Sequence, residues 1–275
     1  MRRTRSAWRW SISRSHLLRE CARAFEFQLR NPNGVRDAIG AVRLSALTGI
    51  AIHEGISSEL DRWAVGERAT ERGAIVHANE FINQVWNERE QRIIEIRNGL
   101  DIDSTQLAVY LHLVRSRLER FFQMIWPQFS DMRHESHESL QEFRGCALPV
   151  GVKIDLACWN REDQLVIADW KTGSWQNLLG SRVQLAVYAL WARTALKLGI
   201  AAILPTIVSL QTGEIERFHP TEDDFDFVKD EVESDKRRVE DYRRAGEFPA
   251  SPRPEKCWGC AYLSSCREGS ETVGL

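Results

Sequence analysis

The stretch from Gly151 to Gly173 constrains the fold more than any other part of the chain. It reads GVKIDLACWN, then REDQ, then LVIADWKTG. Residues 151–159 alternate and are rich in β-branched side chains, residues 161–164 are a short polar turn, and residues 165–170 are apolar enough for a buried strand. The pattern predicts a β-hairpin whose second strand is buried.

The predicted hairpin carries three charged residues that chemistry could use. Asp155 falls inside the first strand, and Asp169 and Lys171 fall at the end of the second. Side chains at i and i+2 lie on one face of a strand, so Asp169 and Lys171 point into one site. Buried carboxylates are costly unless something pairs with them, so two beside a lysine indicate a divalent cation. A paired charge cluster on an ordinary hairpin is the alternative.

The rest of the chain predicts an α/β protein, a mixed sheet with helices on both sides. A helix with Ser13 as its N-cap is predicted to end at Arg30, before a turn at residues 31–34. The other predicted helices span residues 44–63, 74–129 with a break near 98–99, 181–198 and 222–244. The other predicted strands span residues 142–146, 203–210 and 214–218, and residues 130–139 are predicted to be a loop.

Composition excludes several classes of protein. The chain has 275 residues, of which 43% are hydrophobic and 28% charged, as in globular proteins. No apolar run approaches the roughly 18 residues of a membrane span, and the N-terminus has no apolar signal segment. We therefore expect a cytoplasmic protein with no membrane partner. The net charge of −2 argues against strong sequence-independent binding to nucleic acid.

The N-terminus is nevertheless basic. Two tryptophans, Trp8 and Trp10, lie among its arginines. The arginines are Arg2, Arg3, Arg5, Arg9, Arg14, Arg19 and Arg23. Arginine interleaved with aromatic residues suits phosphate contact and base stacking, and a solvated basic tail is the alternative.

The cysteines near the C-terminus predict a metal site. Cys257, Cys260 and Cys266 form a C-x2-C-x5-C pattern, and Cys21 is the natural fourth ligand. Four thiolates suit tetrahedral zinc or an iron–sulfur cluster, and the sequence alone does not separate them. Joining Cys21 to the C-terminal cysteines would close a very long loop, which is worth on the order of 5 kcal/mol to the folded state.

These motifs together resemble the PD-(D/E)XK nuclease superfamily. The resemblance rests on a glycine before Asp155, on Asp169-x-Lys171 and on Gln184-x-x-x-Tyr188, although many relatives have Glu where Asp169 stands. The RecB-like branch, with AddB-type nucleases and CRISPR-associated exonucleases, is the most similar. It implies a restriction-endonuclease-like fold and a [4Fe-4S] cluster joining the N- and C-terminal segments. The cluster ligands would be Cys21, Cys257, Cys260 and Cys266, preceded by a Ser-x-Ser segment at Ser11 and Ser13.

The resemblance also implies roles for the site residues. Asp155, Asp169 and the backbone carbonyl of Trp170 would hold Mg²⁺ or Mn²⁺, with His53 completing the ligands. The segment from Gly49 to Glu54 matches the family's glycine and histidine better than the one from Gly73 to His77. Lys171 would orient or deprotonate water. The two residues expected to contact Lys171 or the nucleic-acid backbone are Gln184 and Tyr188, which stand one helical turn apart.

The function implied is a metal-dependent DNA exonuclease acting on single strands or free ends. The context would be recombination and repair, or CRISPR or phage DNA processing, with a helicase or CRISPR-integration partner. A non-cleaving DNA-binding subunit is the first alternative, and a zinc-stabilised protein unrelated to nucleic acid is the second. The predicted segments are 1–43 with the first cysteine, 44–135 with the histidine, 136–245 as the nuclease core, and 246–275 with the cysteine cluster.

Overall fold

The computed structural model describes residues 8–30, 41–103, 105–173 and 178–275. Arg2, Arg3, Arg5 and the turn predicted at residues 31–34 lie outside them. The strands are β1 (Arg133–Phe143), β2 (Val150–Trp159), β3 (Leu165–Lys171), β4 (Ile203–Ser209) and β5 (Ile215–Arg217). The helices are α1 (Ile12–Glu20), α2 (Ala22–Arg30), α3 (Leu44–Ala64), α4 (Glu71–Asn87), α5 (Arg89–Arg92), α6 (Ile94–Arg97), α7 (Gln106–Arg120), α8 (Leu178–Ala195), α9 (Glu222–Ala245), α10 (Pro254–Cys257) and α11 (Arg267–Val273).

The chain divides into two compact units, and each combines an N-terminal with a later segment. The sheet unit comprises Met1–His16 and Ile125–Glu247. The helical unit comprises Leu17–Met124 and Phe248–Leu275. The division into four segments that the sequence suggests stays a prediction.

A five-stranded mixed sheet forms the core of the sheet unit. Its strands lie in the order β1-β2-β3-β4-β5. All neighbouring pairs are antiparallel except β3 and β4, which are parallel and are connected through α8. The predicted hairpin is confirmed, with Trp159 opposite Leu165 and Leu156 opposite Ala168. The prediction of an α/β fold with a mixed sheet is confirmed as well.

Helices α8 and α9 complete the core of the sheet unit. Helix α8 packs against β4, and α9 packs against α8. Helix α9 begins with a capping box, in which Thr221 and Asp224 satisfy each other's backbone N–H groups, and ends at Gly246 in the left-handed conformation. Every residue of β4 is buried, as expected for a strand paired on both sides and covered by a helix.

The prediction of a loop at residues 130–139 is wrong, because β1 runs from Arg133 to Phe143. The strand reads RHESHESLQEF and lies at the edge of the sheet, where most of its side chains are half-buried or exposed on both faces. An edge strand of this kind has no apolar alternation to reveal it. The strand predicted at 142–146 is the end of β1, which stops at Phe143.

The first described residues are bound tightly to the sheet unit. The backbone of Trp10 donates to the carbonyl of Pro149 at 2.9 Å and accepts from the amide of Gly151 at 2.8 Å. Its indole Nε1 donates to Asp235 Oδ2 at 2.9 Å, and both side chains are fully buried. Trp8 is buried too, so neither tryptophan has an exposed ring on which a base could stack.

The predicted N-cap at Ser13 is wrong by two residues. Helix α1 begins at Ile12, so Ser13 already lies inside it. Ser11 Oγ instead accepts a hydrogen bond from the backbone of Arg14 at 3.3 Å, which is the capping interaction at a helix N-terminus. Cys21 interrupts the predicted single helix and separates α1 from α2.

Helices α3, α4 and α7 pack against one another in the helical unit. Glu59 is buried on α3, where it accepts hydrogen bonds from the Thr70 amide at 2.6 Å and from Thr70 Oγ1 at 3.1 Å. A Cβ at Gly73 would lie 1.9 Å from Glu59 Oε1. Room for this buried carboxylate therefore explains the glycine in the segment from Gly73 to His77.

The long helical insertion is more broken than predicted. After α4, only the four-residue helices α5 and α6 precede Gly99, which has a positive φ of 96°. Helix α7 then ends in a π-helical turn at Phe121–Ile125. In the described parts of the chain, no helix combines the length and the apolar character needed to cross a membrane.

The buried bond between Trp10 and Asp235 predicts a stability effect. Replacing Trp10 with Phe removes a donor from a fully buried carboxylate and should lower the free energy of unfolding by about 1–3 kcal/mol. Urea denaturation followed by circular dichroism measures the change. Asp230→Asn, at an exposed position of the same helix, should leave the midpoint unchanged. Equal midpoints for Trp10→Phe and the unmodified protein would contradict the structural role of this bond.

Candidate functional site

Two buried aspartates lie on neighbouring strands of the sheet unit. The β2–β3 register, continued one pair beyond Leu156 and Ala168, places Asp155 opposite Asp169. Directly opposed residues of an antiparallel pair share a face of the sheet. Both carboxylates are almost fully buried, and Asp155 Oδ2 accepts a hydrogen bond from the backbone of Trp170 at 2.8 Å. The hairpin therefore brings the two acids together, as the sequence predicts.

Asp169 is the centre of a network of side chains. Its Oδ2 lies 2.6 Å from Lys171 Nζ, and its Oδ1 accepts hydrogen bonds from Gln184 Nε2 and the Tyr188 hydroxyl, both at 2.8 Å. Lys171 also donates to Gln184 Oε1 at 2.7 Å. The structure thus brings together the strand residues and the α8 residues that the motifs single out. Their catalytic roles stay predictions.

The Tyr188 phenol acts here as a hydrogen-bond donor. Burial, together with the negative charges of Asp169 and Asp155, raises the pKa of Tyr188 well above its ordinary value. The hydroxyl therefore keeps its proton throughout the neutral range and can hold Asp169 in place. It is poorly suited to accept a proton from water.

Glu138 is a member of this site that the sequence did not reveal. It lies on β1 between Ser139, which pairs with Ile154, and His137, which pairs with Leu156. One of its carboxylate oxygens is within 4.8 Å of an oxygen of Asp155, and it forms an ion pair with Lys153. Its backbone is left-handed, with φ of 42°, which is uncommon for a residue other than glycine. The loop predicted at residues 130–139 concealed it.

The oxygen atoms of the site fit a divalent cation. Asp169 Oδ2 is buried and, within the described residues, no hydrogen bond reaches it, although the Lys171 ammonium is close. Carboxylate oxygens are the hard ligands that Mg²⁺ and Mn²⁺ take, and those of Asp155 and Glu138 lie within 4.8 Å of each other, with Asp169 on the neighbouring strand. The Lys171 ammonium offsets one of these negative charges, and a bound divalent cation would offset the others.

The two candidate histidines belong to the helical unit. His53 is half-buried on α3, and His77 is exposed on α4. The assignment of His53 as a metal ligand stays a prediction, as does that of the Trp170 carbonyl.

Four cysteines of the helical unit line one cavity. They are Cys21, Cys257, Cys260 and Cys266. A Cβ placed on Gly269 would lie 3.4 Å from Cys266 Sγ and 3.6 Å from Cys257 Sγ, so this glycine leaves room beside two of the sulfurs. Among the described residues, no three of the four sulfurs lie within 4.8 Å of one another.

Burial governs the ionisation of these thiols. It raises the pKa of Cys260 and that of Cys266, and the neighbouring Cys21 raises both further. A metal would therefore displace protons when it binds. Cys158, in the sheet unit, donates to Met132 Sδ at 3.4 Å, and burial raises its pKa to about 12, which makes it unreactive.

Comparison with known proteins identifies one family. The profile of the PD-(D/E)XK nuclease superfamily matches residues 9–267. No curated protein matches the sequence. Among solved structures, the Eubacterium rectale protein named "Putative exonuclease" is similar with 12% identity and a TM-score of 0.39, over 81% of this chain and 91% of that one. SSO0001 is similar with 13% identity and a TM-score of 0.30, over 68% of this chain and 96% of that one.

The position of Glu138 predicts a contribution to metal binding. Glu138→Gln removes one negative charge beside Asp155 and should weaken Mn²⁺ binding about tenfold, the lower end of the range for residues that support a metal site. Isothermal titration calorimetry with Mn²⁺ measures the affinity. Glu142→Gln is the matched control, because Glu142 lies on the same strand and the same face. If both variants bind Mn²⁺ as tightly as the unmodified protein, Glu138 does not belong to the metal site.

Proposed function

This chain belongs to the PD-(D/E)XK nuclease superfamily, and we propose that it is a metal-dependent deoxyribonuclease that acts on single strands or free ends. The observation that carries the proposal is the position of Asp169. Its buried carboxylate forms an ion pair with Lys171 at 2.6 Å and accepts hydrogen bonds from Gln184 and Tyr188, on the strand next to the buried Asp155. Asp155, Asp169 and Lys171 are the acidic and basic residues of the family motif, and Asp169 and Lys171 are in direct contact.

Phosphodiester hydrolysis makes two demands on such a site. A water oxygen must form a bond to phosphorus as the bond to the leaving oxygen breaks, and the negative charge that accumulates on the phosphate must be offset. Mg²⁺ or Mn²⁺, when bound, polarises the phosphate and lowers the pKa of a bound water. Asp155 and Asp169 would hold that ion, and Glu138 adds a third carboxylate beside Asp155.

Lys171 and Gln184 have complementary tasks in the proposed reaction. The Lys171 ammonium lies between Asp169 Oδ2 and Gln184 Oε1, at 2.6 Å and 2.7 Å. It can offset charge on the phosphate or orient the attacking water. Gln184 also donates to Asp169, so its amide fixes the acid and the base relative to each other. Tyr188 holds Asp169 from the next turn of α8.

The finer parts of the proposal come from the resemblance to the RecB-like branch. By that resemblance His53 and the Trp170 carbonyl complete the ligands, and an imidazole ligand would shift the preference toward Mn²⁺. The same resemblance suggests exonuclease action in recombination and repair, or in CRISPR or phage DNA processing, beside a helicase or a CRISPR-integration partner.

The four cysteines suggest a second metal centre, for which we propose a structural [4Fe-4S] cluster. The support is that all four line one cavity of the helical unit, where they join its N-terminal and C-terminal segments. Tetrahedral zinc, with Zn–S of about 2.3 Å, would draw the sulfurs to within roughly 4 Å of one another. Zinc is the alternative occupant of the same four thiolates, and the metal content of the protein decides between the two.

Loss of either central residue should abolish cleavage. Asp155→Ala and Lys171→Ala should each lower the rate on labelled single-stranded DNA by about 10²- to 10⁴-fold in Mn²⁺, because each removes a group that acts on the reacting phosphate or water. Circular dichroism should show an unchanged fold. Lys229→Ala, at an exposed lysine of α9, is the control. Undiminished cleavage by Lys171→Ala would refute this site, and binding without cleavage by the unmodified protein would favour the non-cleaving alternative.

The cluster proposal predicts a brown protein with absorption near ~400 nm after anaerobic purification. Cys21→Ser should bleach this absorption and lower the iron content, while Cys146→Ser, at a cysteine of the sheet unit, should retain both. Metal analysis completes the measurement. A colourless protein that contains one zinc ion per chain would replace the cluster with the zinc alternative.

A further inference from the structure

We propose that Arg9 and Lys153 form a phosphate-binding row that holds one nucleic-acid strand beside the candidate metal site. In this row Lys153 lies next to the site and Arg9 lies one step farther along β2. The inference rests on the proposed function, since the same strand would be the substrate. Nothing in the family motif marks either residue.

The direction of the Arg9 side chain follows from its contact with Gly151. A Cβ built on Gly151 would lie 2.9 Å from both Cδ and Nε of Arg9. Since Cβ atoms at positions 151, 153 and 155 point to the same face of a strand, Arg9 lies over the face that carries Lys153 and Asp155. Glu142, which pairs with Gly151 on β1, supports this placement, because Arg9 Nη1 is 3.8 Å from Glu142 Oε2.

Gly151 provides space rather than an unusual backbone. Among the described glycines it is not one of those with a positive φ, so the strand conformation would accept any residue. A side chain at position 151 would instead collide with the Arg9 side chain, which lies over the glycine. The ion pair with Glu142 is long and both side chains are over a third exposed, so it contributes little to stability. The position of the Arg9 side chain over Gly151 is therefore better explained by a role in binding than by a contribution to stability.

The backbone that carries Arg9 is held rigidly. Trp10 is bonded on both sides to the backbone that flanks Val150, and its indole is bonded to Asp235. Arg14 Nη1 donates to the carbonyl of Arg9 at 2.7 Å. Because its backbone is fixed, Arg9 loses only side-chain freedom when it binds an anion, which lowers the entropic cost of binding.

The spacing of the row suits a nucleic-acid strand. Alternate residues of a β-strand are about 6.8 Å apart, which is comparable to the separation of successive phosphates along one strand of nucleic acid. Starting from Asp155, the next position on this face holds Lys153, whose side chain is 60% exposed and forms an ion pair with Glu138, so that it lies between the metal site and solvent. The following position holds the Arg9 guanidinium over Gly151. A phosphate at the metal site would thus place its next two neighbours near Lys153 and Arg9.

This assignment gives the basic N-terminus a specific use. Because Trp8 and Trp10 are buried, they anchor the segment and do not stack on bases. Arginine is well suited to the remaining task, since its planar guanidinium can donate two hydrogen bonds to one phosphate.

The test measures binding and cleavage separately. Fluorescent single-stranded oligonucleotides, each with one uncharged methylphosphonate at a different position, are titrated with the full chain in Ca²⁺, and cleavage is followed in Mn²⁺. The proteins are the unmodified chain, Arg9→Gln, Gly151→Ala and Arg237→Gln. Arg237 is a matched control, because it is an exposed arginine of the sheet unit that pairs with Glu233 on α9.

Arg9→Gln should bind the unmodified oligonucleotide about tenfold more weakly, as expected for a lost hydrogen bond to a charged group. The slope of log affinity against log salt should fall by about 0.7, corresponding to one phosphate of a single strand. Gly151→Ala should resemble Arg9→Gln, because its Cβ displaces the guanidinium. One methylphosphonate position should weaken binding by the unmodified chain and by Arg237→Gln, but not binding by Arg9→Gln.

The proposal is overturned if Arg9→Gln binds like the unmodified chain, or if it stays sensitive to the same methylphosphonate. Thermal melting shows whether both variants are folded. If Arg9→Gln binds DNA more weakly but the unmodified chain does not cleave it, the phosphate-binding row stands and the nuclease function is refuted. If the unmodified chain cleaves DNA and Arg9→Gln binds normally, the nuclease function stands and the phosphate-binding row is refuted.

Discussion

The pairing of two buried carboxylates across β2 and β3 is the constraint on which the rest of the sheet unit depends. Asp155 and Asp169 come directly after the last register pair of the two strands, Leu156 and Ala168, and both carboxylates are buried, where their charges are costly unless cations or donors offset them. The Trp170 amide donates a hydrogen bond to Asp155. Asp169 is bound by the side chains of Lys171, Gln184 and Tyr188. The sequence between β3 and β4 thus forms a helix that both covers the sheet and supplies donors to its acids.

The ends of the chain serve two separate purposes. The segment around Trp10 lies along β2 and is bonded to α9, so it belongs to the unit that carries the acids. The segment from Leu17 onward belongs to the helical unit, where Cys21 shares a cavity with the last three cysteines. The boundary between the units therefore falls inside α1, and this short helix connects the segment that contains Arg9 and Trp10 to Cys21.

Local patterns predicted the hairpin and most of the acid network, because their information lies within a few residues. Alternation revealed β2, the i, i+2 rule placed Asp169 beside Lys171, and one helical turn placed Gln184 beside Tyr188. The position of Glu138 beside Asp155 and the contact of Arg9 with Gly151 could not be predicted in this way. Glu138 lies on an edge strand that is polar on both faces, and the seat of Arg9 over Gly151 joins residues far apart in the chain.

Anomalous diffraction from crystals grown in Mn²⁺ tests the central claim most directly. The account predicts one or more Mn²⁺ peaks bound by carboxylate oxygens of Asp155 and Asp169, with the Lys171 ammonium beside them. A structure in which Mn²⁺ binds elsewhere, while these two aspartates stay paired only with protein donors, would contradict it.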